Sequence, residues 1–289
     1  LDALRAAPGR AMRLHVQTRA GPPLRRSGQW LTNASGYRVW VRVHEPDDEI
    51  ERPAVLLVPG RDKDSSVFLG QMYVVSADEL ATLGIRVVLF DPVGRGNSWG
   101  HNDFCGSEGQ DSLRAVLEFM HARRDIDAAR IGLCSFSLGL SLCVPLLARE
   151  GDRLPVAFLL DWEGPGDRDS ILRGGALPPA ARTALARDPD VFWEHREPLP
   201  WMEDLPCPYL RLQARTDHAL GDRGAAGSIA LIAAASAGRC PETRLNDNPV
   251  NVAWRPDQLE SLRWAPHQTG ALNRVLVQTI RDRLLPGEP

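Results

Sequence analysis

Ile131-Gly132-Leu133-Cys134-Ser135-Phe136-Ser137-Leu138-Gly139 reads as a strand that stops and a helix that starts, with almost nothing between them. Ala129 to Cys134 is a strand-like run, and a helical pattern begins at about Leu138. Between them lies small-x-Ser-x-Gly, centred on Ser137. A residue at the apex of so sharp a turn sits in a strained backbone conformation. Its neighbours two before and two after must therefore be small. Gly139 meets that demand in full and Ser135 in part. The turn also sets Ser137 at a helix N-terminus, where the free N–H of Leu138 can donate to a developing oxyanion.

Further runs of the same strand type flank this one. Ala54 to Val58, Ile85 to Phe90, Val156 to Leu160 and Tyr209 to Gln213 are short and nearly continuously apolar. Runs without a polar side are what a parallel sheet covered on both faces requires. Helical spacing lies between and after them, as at Leu113, Val116, Leu117 and Met120, and at Leu272, Val275, Leu276 and Ile280. This alternation predicts an α/β fold with a mostly parallel, doubly wound sheet. Upstream, Tyr37, Val39, Val41 and Val43 alternate with polar or aromatic residues, a half-buried antiparallel strand with His44 at its surface. Gln29 to Asn33 pairs with it across Ala34-Ser35-Gly36 as an N-terminal hairpin. The rhythm fails once. About residues 162–205 carry no strand signal and six prolines, too long for an ordinary connection. They read as a small lid inserted over the carboxyl ends of the strands, where open α/β sheets place their sites. The expectation is one domain over residues 1–289.

Composition removes other chemistries. Lys63 is the one lysine among 34 Lys and Arg residues. Asp64 follows it, so no phosphate-cradling G-x-x-x-x-G-K-[ST] loop exists. It sits in the charged run Arg61-Asp62-Lys63-Asp64, which disfavours imine chemistry. A net charge of -3 with scattered arginines points away from nucleic acid. No run of 18 apolar residues suggests a membrane span. The five cysteines include no C-x-x-C pair, so buried free thiols are expected, and neither metal nor organic cofactor is implied. The chain opens on Leu1, which fits a soluble cytoplasmic protein or one exported after loss of an upstream segment.

With these segments in place, the chain resembles the α/β-hydrolases over roughly residues 29 to 285, and within them dienelactone-hydrolase-like and prolyl-oligopeptidase-like catalytic domains. Val58-Pro59-Gly60-Arg61 stands where that family has its His-Gly turn, with proline for histidine. Asp91-Pro92-Val93-Gly94-Arg95-Gly96-Asn97-Ser98 is similar to the family's Asp-x-x-Gly-x-Gly-x-Ser loop. Phe192 to Leu199, followed by Pro206-Cys207-Pro208-Tyr209-Leu210, resembles the approach to the acid strand.

The resemblance implies a serine hydrolase with residues in the order Ser, then Asp or Glu, then His. Ser137 is the nucleophile. Asp217, in Ala214-Arg215-Thr216-Asp217 where the family has Gly-x-x-Asp, is the acid. His267, before the final helix, is the base. The N–H groups of Leu138 and Arg61 form the oxyanion hole. Asp161 and Glu163 are rival acids, and Asp217 has the alternative role of an N-cap. His218 reads as a loop residue, its chain direction being wrong for pairing with its neighbour Asp217. Trp162, Glu163, Trp193 and His101 are candidate pocket residues, with packing in the core of the lid the alternative role for the tryptophans. Arg61, Asp62 and Lys63 read as solvated loop charges, unless Arg61 favours an anionic substrate. Asn246-Asp247-Asn248 fits pocket lining or turn formation equally. The expected partner is a small acyl substrate, with a carboxylic ester first and a peptide bond second. A catalytically silent ligand-binding protein is the third reading, since fold does not fix function.

Overall fold

The computed structural model describes residues 22–70, 74–249 and 263–287. Its centre is one nine-stranded sheet. The chain enters through a hairpin of β1 (Leu24–Thr32) and β2 (Arg38–Pro46), paired antiparallel along their whole length. The Asn33 side chain accepts the Tyr37 N–H at 2.8 Å, and Gly36 takes φ +82° to close the turn. Val39, Val41 and Val43 point inward, as the alternation predicts. His44 departs from expectation. It is 6% exposed, with Nδ1 2.7 Å from Asp78 of α1 (Ala77–Thr82), because that helix packs over the end of β2.

The five apolar runs become β3 (Arg52–Val58), β4 (Arg86–Phe90), β5 (Ile126–Phe136), β6 (Phe158–Trp162) and β7 (Tyr209–Leu212). They are followed by β8 (Thr243–Leu245) and β9 (Asn248–Pro249). The order across the sheet is β1-β2-β4-β3-β5-β6-β7-β8-β9. Pairing is parallel from β4 through β8 and antiparallel at both edges. The apolar runs carry no polar side because each strand serves two cores. Ala54, Leu56 and Val58 of β3 join one core; Val55 and Leu57 join the other. The first core holds α2 (Ser107–Ala122), α3 (Leu140–Glu150) and α7 (Gly224–Ala237) through residues such as Leu113, Leu142 and Ile232. The second holds α1 and α8 (Thr269–Leu284) through Leu80, Leu272, Leu276 and Ile280.

Between β6 and β7 the chain forms α4 (Arg168–Arg173), α5 (Pro179–Arg187), α6 (Pro189–Glu194) and a 3-10 turn, Leu199–Asp204. Asp167 and Asp188 cap α4 and α6 with their carboxylates, and Pro179, Pro189 and Pro200 fall in the first turns of α5, α6 and the 3-10 turn, where no N–H is needed. Ile171, Phe192, Trp193 and Met202 anchor the segment to the first core. Among the described residues, no helix is long and apolar enough to cross a membrane.

The sequence of crossovers reverses between β3 and β5. From β3 the chain moves outward to β4, and from β5 it moves the other way to β6 and β7. The loops leaving the carboxyl ends of β3 and β5 therefore part and open a crevice. The opposite end of the sheet is closed by charge. Arg86, at the start of β4, is 0% exposed. Its guanidinium donates to Glu45 Oε2 at 2.7 Å and to the carbonyls of Asp48, Ile50 and Asp125. It thereby ties β2, β4 and the loop entering β5 together, with Arg25 and Arg123 sharing Glu45. Replacing Arg86 with methionine strands these buried acceptors and should cost about 3 kcal/mol in urea unfolding. Because the change lies at the far end from the crevice, unfolding midpoint and any activity should separate.

Candidate active site

Ser137 sits at the tip of the central strand β5 with φ +52°, a left-handed conformation a non-glycine residue rarely adopts. A single 3-10 turn, Ser137–Gly139, leads directly into α3. The small neighbours have a visible cause. A Cβ on Gly139 would stand 2.9 Å from the Val58 carbonyl oxygen and 3.0 Å from that of Pro59. A Cβ on Gly60 would meet the Phe136 carbonyl oxygen at 2.9 Å and the Ser137 Cβ at 3.2 Å. The β3 loop and the elbow thus touch backbone to backbone.

His218 Nε2 lies 3.0 Å from Ser137 Oγ. Its Nδ1 lies 2.7 Å from Glu163 Oε2. Glu163 also accepts the backbone N–H of Ala214 and of His218 itself, each at 2.9 Å. A carboxylate that receives two backbone donors faces Nδ1 as an acceptor, so the ring proton belongs on Nδ1. Nε2 is then the acceptor for the serine hydroxyl. The Glu163 side chain is 1% exposed and that of His218 29%. Trp162 stacks on the imidazole at 4.6 Å and shields one ring face.

This corrects two assignments. His267, not His218, was the expected base, and it is exposed just ahead of α8 with no hydrogen bond to Ser137 or Asp217. Asp217, expected as the orienting acid, instead builds the turn that displays His218. Its Oδ1 accepts the N–H of Ala219 at 2.8 Å and of Leu220 at 2.9 Å. It also forms a backbone bridge with Gly221, and its Oδ1 lies 3.7 Å from His218 Nδ1. Chain direction does keep His218 from bonding its own neighbour well. The partner comes from the adjacent strand instead, because β6 and β7 end side by side at Trp162 and Leu212. Glu163 follows with φ +51°, which turns its side chain along the sheet edge. The three groups fall along the chain as Ser137, Glu163 and His218, and the position of His218 just past β7 was the signal available to find it. The other rival acid, Asp161, points into the sheet, where it bonds Tyr209 and Arg211.

The β3 loop is braced by a residue that sequence reasoning did not single out. Arg95 donates to the Gly60 carbonyl at 3.0 Å, and the Lys63 N–H donates to it at 3.3 Å. In a trans peptide the N–H points opposite to the C=O. Fixing the Gly60 carbonyl therefore directs the Arg61 N–H the other way. Asp91 holds the neighbouring chain through Ser65 and the Asn97 N–H. The Arg61 side chain reaches across to the β6–β7 segment, donating to the carbonyls of Ile171 and Gly175, and lies over the Phe104 ring at 4.8 Å. Burial pushes its pKa down, and Asp62 opposes that.

A cleft of about 540 Å³ opens at this point, lined by Arg61, Lys63, Ser137, Leu138, Trp162 and His218 together with neighbouring residues. Glu163 and Trp162 of the expected pocket set lie on it. Two others do not. Trp193 is 3% exposed and packs edge-on against Phe192, and His101 is exposed in the loop after β4. Asn246 and Asn248 serve the β8–β9 turn, bonding Gln213 and the Arg263 carbonyl. All five cysteines are free thiols. Burial pushes that of Cys134, just below the elbow, well above its ordinary value, which makes it a poor nucleophile. Glu163, Asp217 and His218 place three potential metal-ligand atoms within 4.8 Å of one another. Their lone pairs, however, are directed at N–H donors, and the imidazole nitrogen facing them carries a proton.

No protein-family model matches the sequence, and no curated protein matches it either. Solved structures do match in shape. The α/β hydrolase GrgF from Penicillium sp. sh18 superposes with a TM-score of 0.62 at 14% identity, covering 90% of this chain and 99% of that one. The Pyrococcus furiosus esterase Pf2001 gives 0.60 at 13% identity, over 94% and 100% of the two chains. The acylaminoacyl peptidase of Pyrococcus horikoshii gives 0.62 at 12% identity, over 92% of this chain but 42% of its own. With its strand order, its left-handed serine between β5 and α3 and these neighbours, the chain has the α/β-hydrolase fold.

Proposed function

We propose that the protein is a serine hydrolase that cleaves a carboxylic ester through an acyl-enzyme, with Ser137 as nucleophile, His218 as general base and Glu163 as the orienting acid. The observation that carries this reading is the relay from Ser137 Oγ through the two nitrogens of His218 to a buried carboxylate, at 3.0 and 2.7 Å. That geometry is the one nucleophilic acyl transfer requires.

Ser137 Oγ attacks the ester carbonyl as Nε2 takes its proton. Glu163 stabilises the imidazolium that forms, without accepting the proton. The N–H groups of Leu138 and Arg61 receive the oxyanion. The tetrahedral adduct collapses, Nε2 returns the proton to the departing alkoxide, and the alcohol leaves. Water then repeats the sequence on the acyl-enzyme, releasing the acid and restoring the serine. The segment between β6 and β7 acts as a lid, latched to the oxyanion loop by Arg61. An ester is favoured over a peptide bond because this chain matches GrgF and the esterase over nearly their whole lengths, but the acylaminoacyl peptidase over 42% of its own.

A fluorophosphonate probe should label the wild-type protein and not Ser137→Ala, and Ser137→Ala should lose about 10⁶ in kcat on short aryl esters. Turnover of aminoacyl anilides in place of aryl esters would move the assignment to a peptidase. Glu163→Gln should cost about 10⁴ by favouring the wrong imidazole tautomer. His267→Ala should change kcat/KM less than about threefold, whereas His218→Ala should silence the protein; the reverse pattern would overturn the relay. Gly60→Ala, which forces the loop off the Phe136 carbonyl, should lower kcat by about 10² with KM less affected.

A further inference from the structure

The cleft has an electrical polarity that ester cleavage by itself does not require. Its acidic members, Glu163 and Asp217, come from the β6 and β7 side of Ser137 and are committed to His218 and to the turn that carries it. Its cationic members, Arg61 and Lys63, come from the β3 side, where the oxyanion loop lies. Among the described residues, neither forms an ion pair with a carboxylate. The Arg61 guanidinium is turned onto neutral backbone carbonyls, with Asp62 close enough to offset part of its field. Lys63 is exposed, lines the cleft, and uses only its backbone N–H.

The two acids flanking Lys63 are engaged elsewhere. Asp62 Oδ1 accepts the Asn102 side-chain amide at 2.9 Å. Asp64 Oδ1 accepts the Ser66 N–H at 2.8 Å. Local sequence thus suggests cancelling charges, while the fold bonds Asp62 to the loop after β4 and Asp64 to its own loop, with Lys63 lining the cleft. This also gives a reason for a lysine in a chain otherwise built on arginine. A flexible ammonium can follow a mobile carboxylate, whereas the planar Arg61 fork is held by the lid.

We propose that the cleft selects acyl substrates bearing a second, ionised carboxylate, such as half-esters of short dicarboxylic acids, with Lys63 receiving the free carboxylate and Arg61 supplying a supporting positive field. The specificity rests on the serine-hydrolase reading, but the anion site itself does not need turnover. Two chromogenic substrates decide it: the aryl half-ester of glutarate, and its neutral counterpart with the free carboxylate converted to an amide. At low ionic strength the wild-type ratio of kcat/KM, acid over amide, should exceed about ten. That ratio should fall about tenfold in Lys63→Ala and invert in Lys63→Glu, and added salt should erode it. In parallel, glutarate should quench tryptophan fluorescence of both wild type and Ser137→Ala, while glutaramide should not, and Lys63→Glu should abolish the response. Equal handling of the two esters by wild type, or a ratio unmoved in both Lys63 variants, overturns the proposal. Should Ser137→Ala retain full turnover, the serine reading falls, and the glutarate titration still decides the anion site.

Discussion

The arrangement at the site depends on a buried charge pair beneath it. Asp161 of β6 and Arg211 of β7 are register partners, 0% and 2% exposed, and their side chains form a direct ion pair. Burial pushes the Asp161 carboxyl up, and Arg211, the Tyr209 hydroxyl and the Gly164 N–H oppose that. Such a pair adds little net stability, because desolvation consumes most of its Coulomb energy. It is costly to break, however, and a one-residue slip of either strand would put the two charges on opposite faces of the sheet. The pair therefore sets register between the two strands whose ends carry Glu163 and His218. From Arg211 the contacts continue through Gln213 to Asp217, at 2.7 and 3.1 Å, and so to the turn that displays the imidazole. On the other side, Ser135 of β5 bonds Asp161 at 3.3 Å, two residues below Ser137.

The switch point between β3 and β5 supplies the other half of the site. The loop after β3 brings Arg61 and Lys63 to the cleft, and the turn after β5 brings Ser137 and Leu138. The elbow strain at Ser137 is held by close backbone contact at Gly60 and Gly139 rather than by side-chain bonds. Arg95 and Asp91 then fix the loop from behind. Arg61 in turn links the loop after β3 to the segment between β6 and β7.

Much of the fold was legible in the chain. The five apolar runs became five adjacent strands because apolar side chains on both faces need helices on both faces. Small-x-Ser-x-Gly marked the elbow because its neighbours have no room for larger residues. The partners of Ser137 were less legible. Locally, His218 cannot orient toward Asp217 beside it, and its partner Glu163 lies 55 residues away in the chain. His44 shows the same limit in smaller form: strand alternation places it at the surface, and nothing local reveals that α1 covers it.

The sequence by itself determined the fold class and the strand-to-helix turn at Ser137, because these depend on local sterics and on periodicity. Only the tertiary structure decided which histidine meets the serine and which acid meets that histidine, and that Lys63 lines the cleft while Asp62 bonds Asn102 and Asp64 bonds its own loop. Those outcomes depend on strand adjacency and register between segments dozens of residues apart, and local pattern carries no record of such pairings.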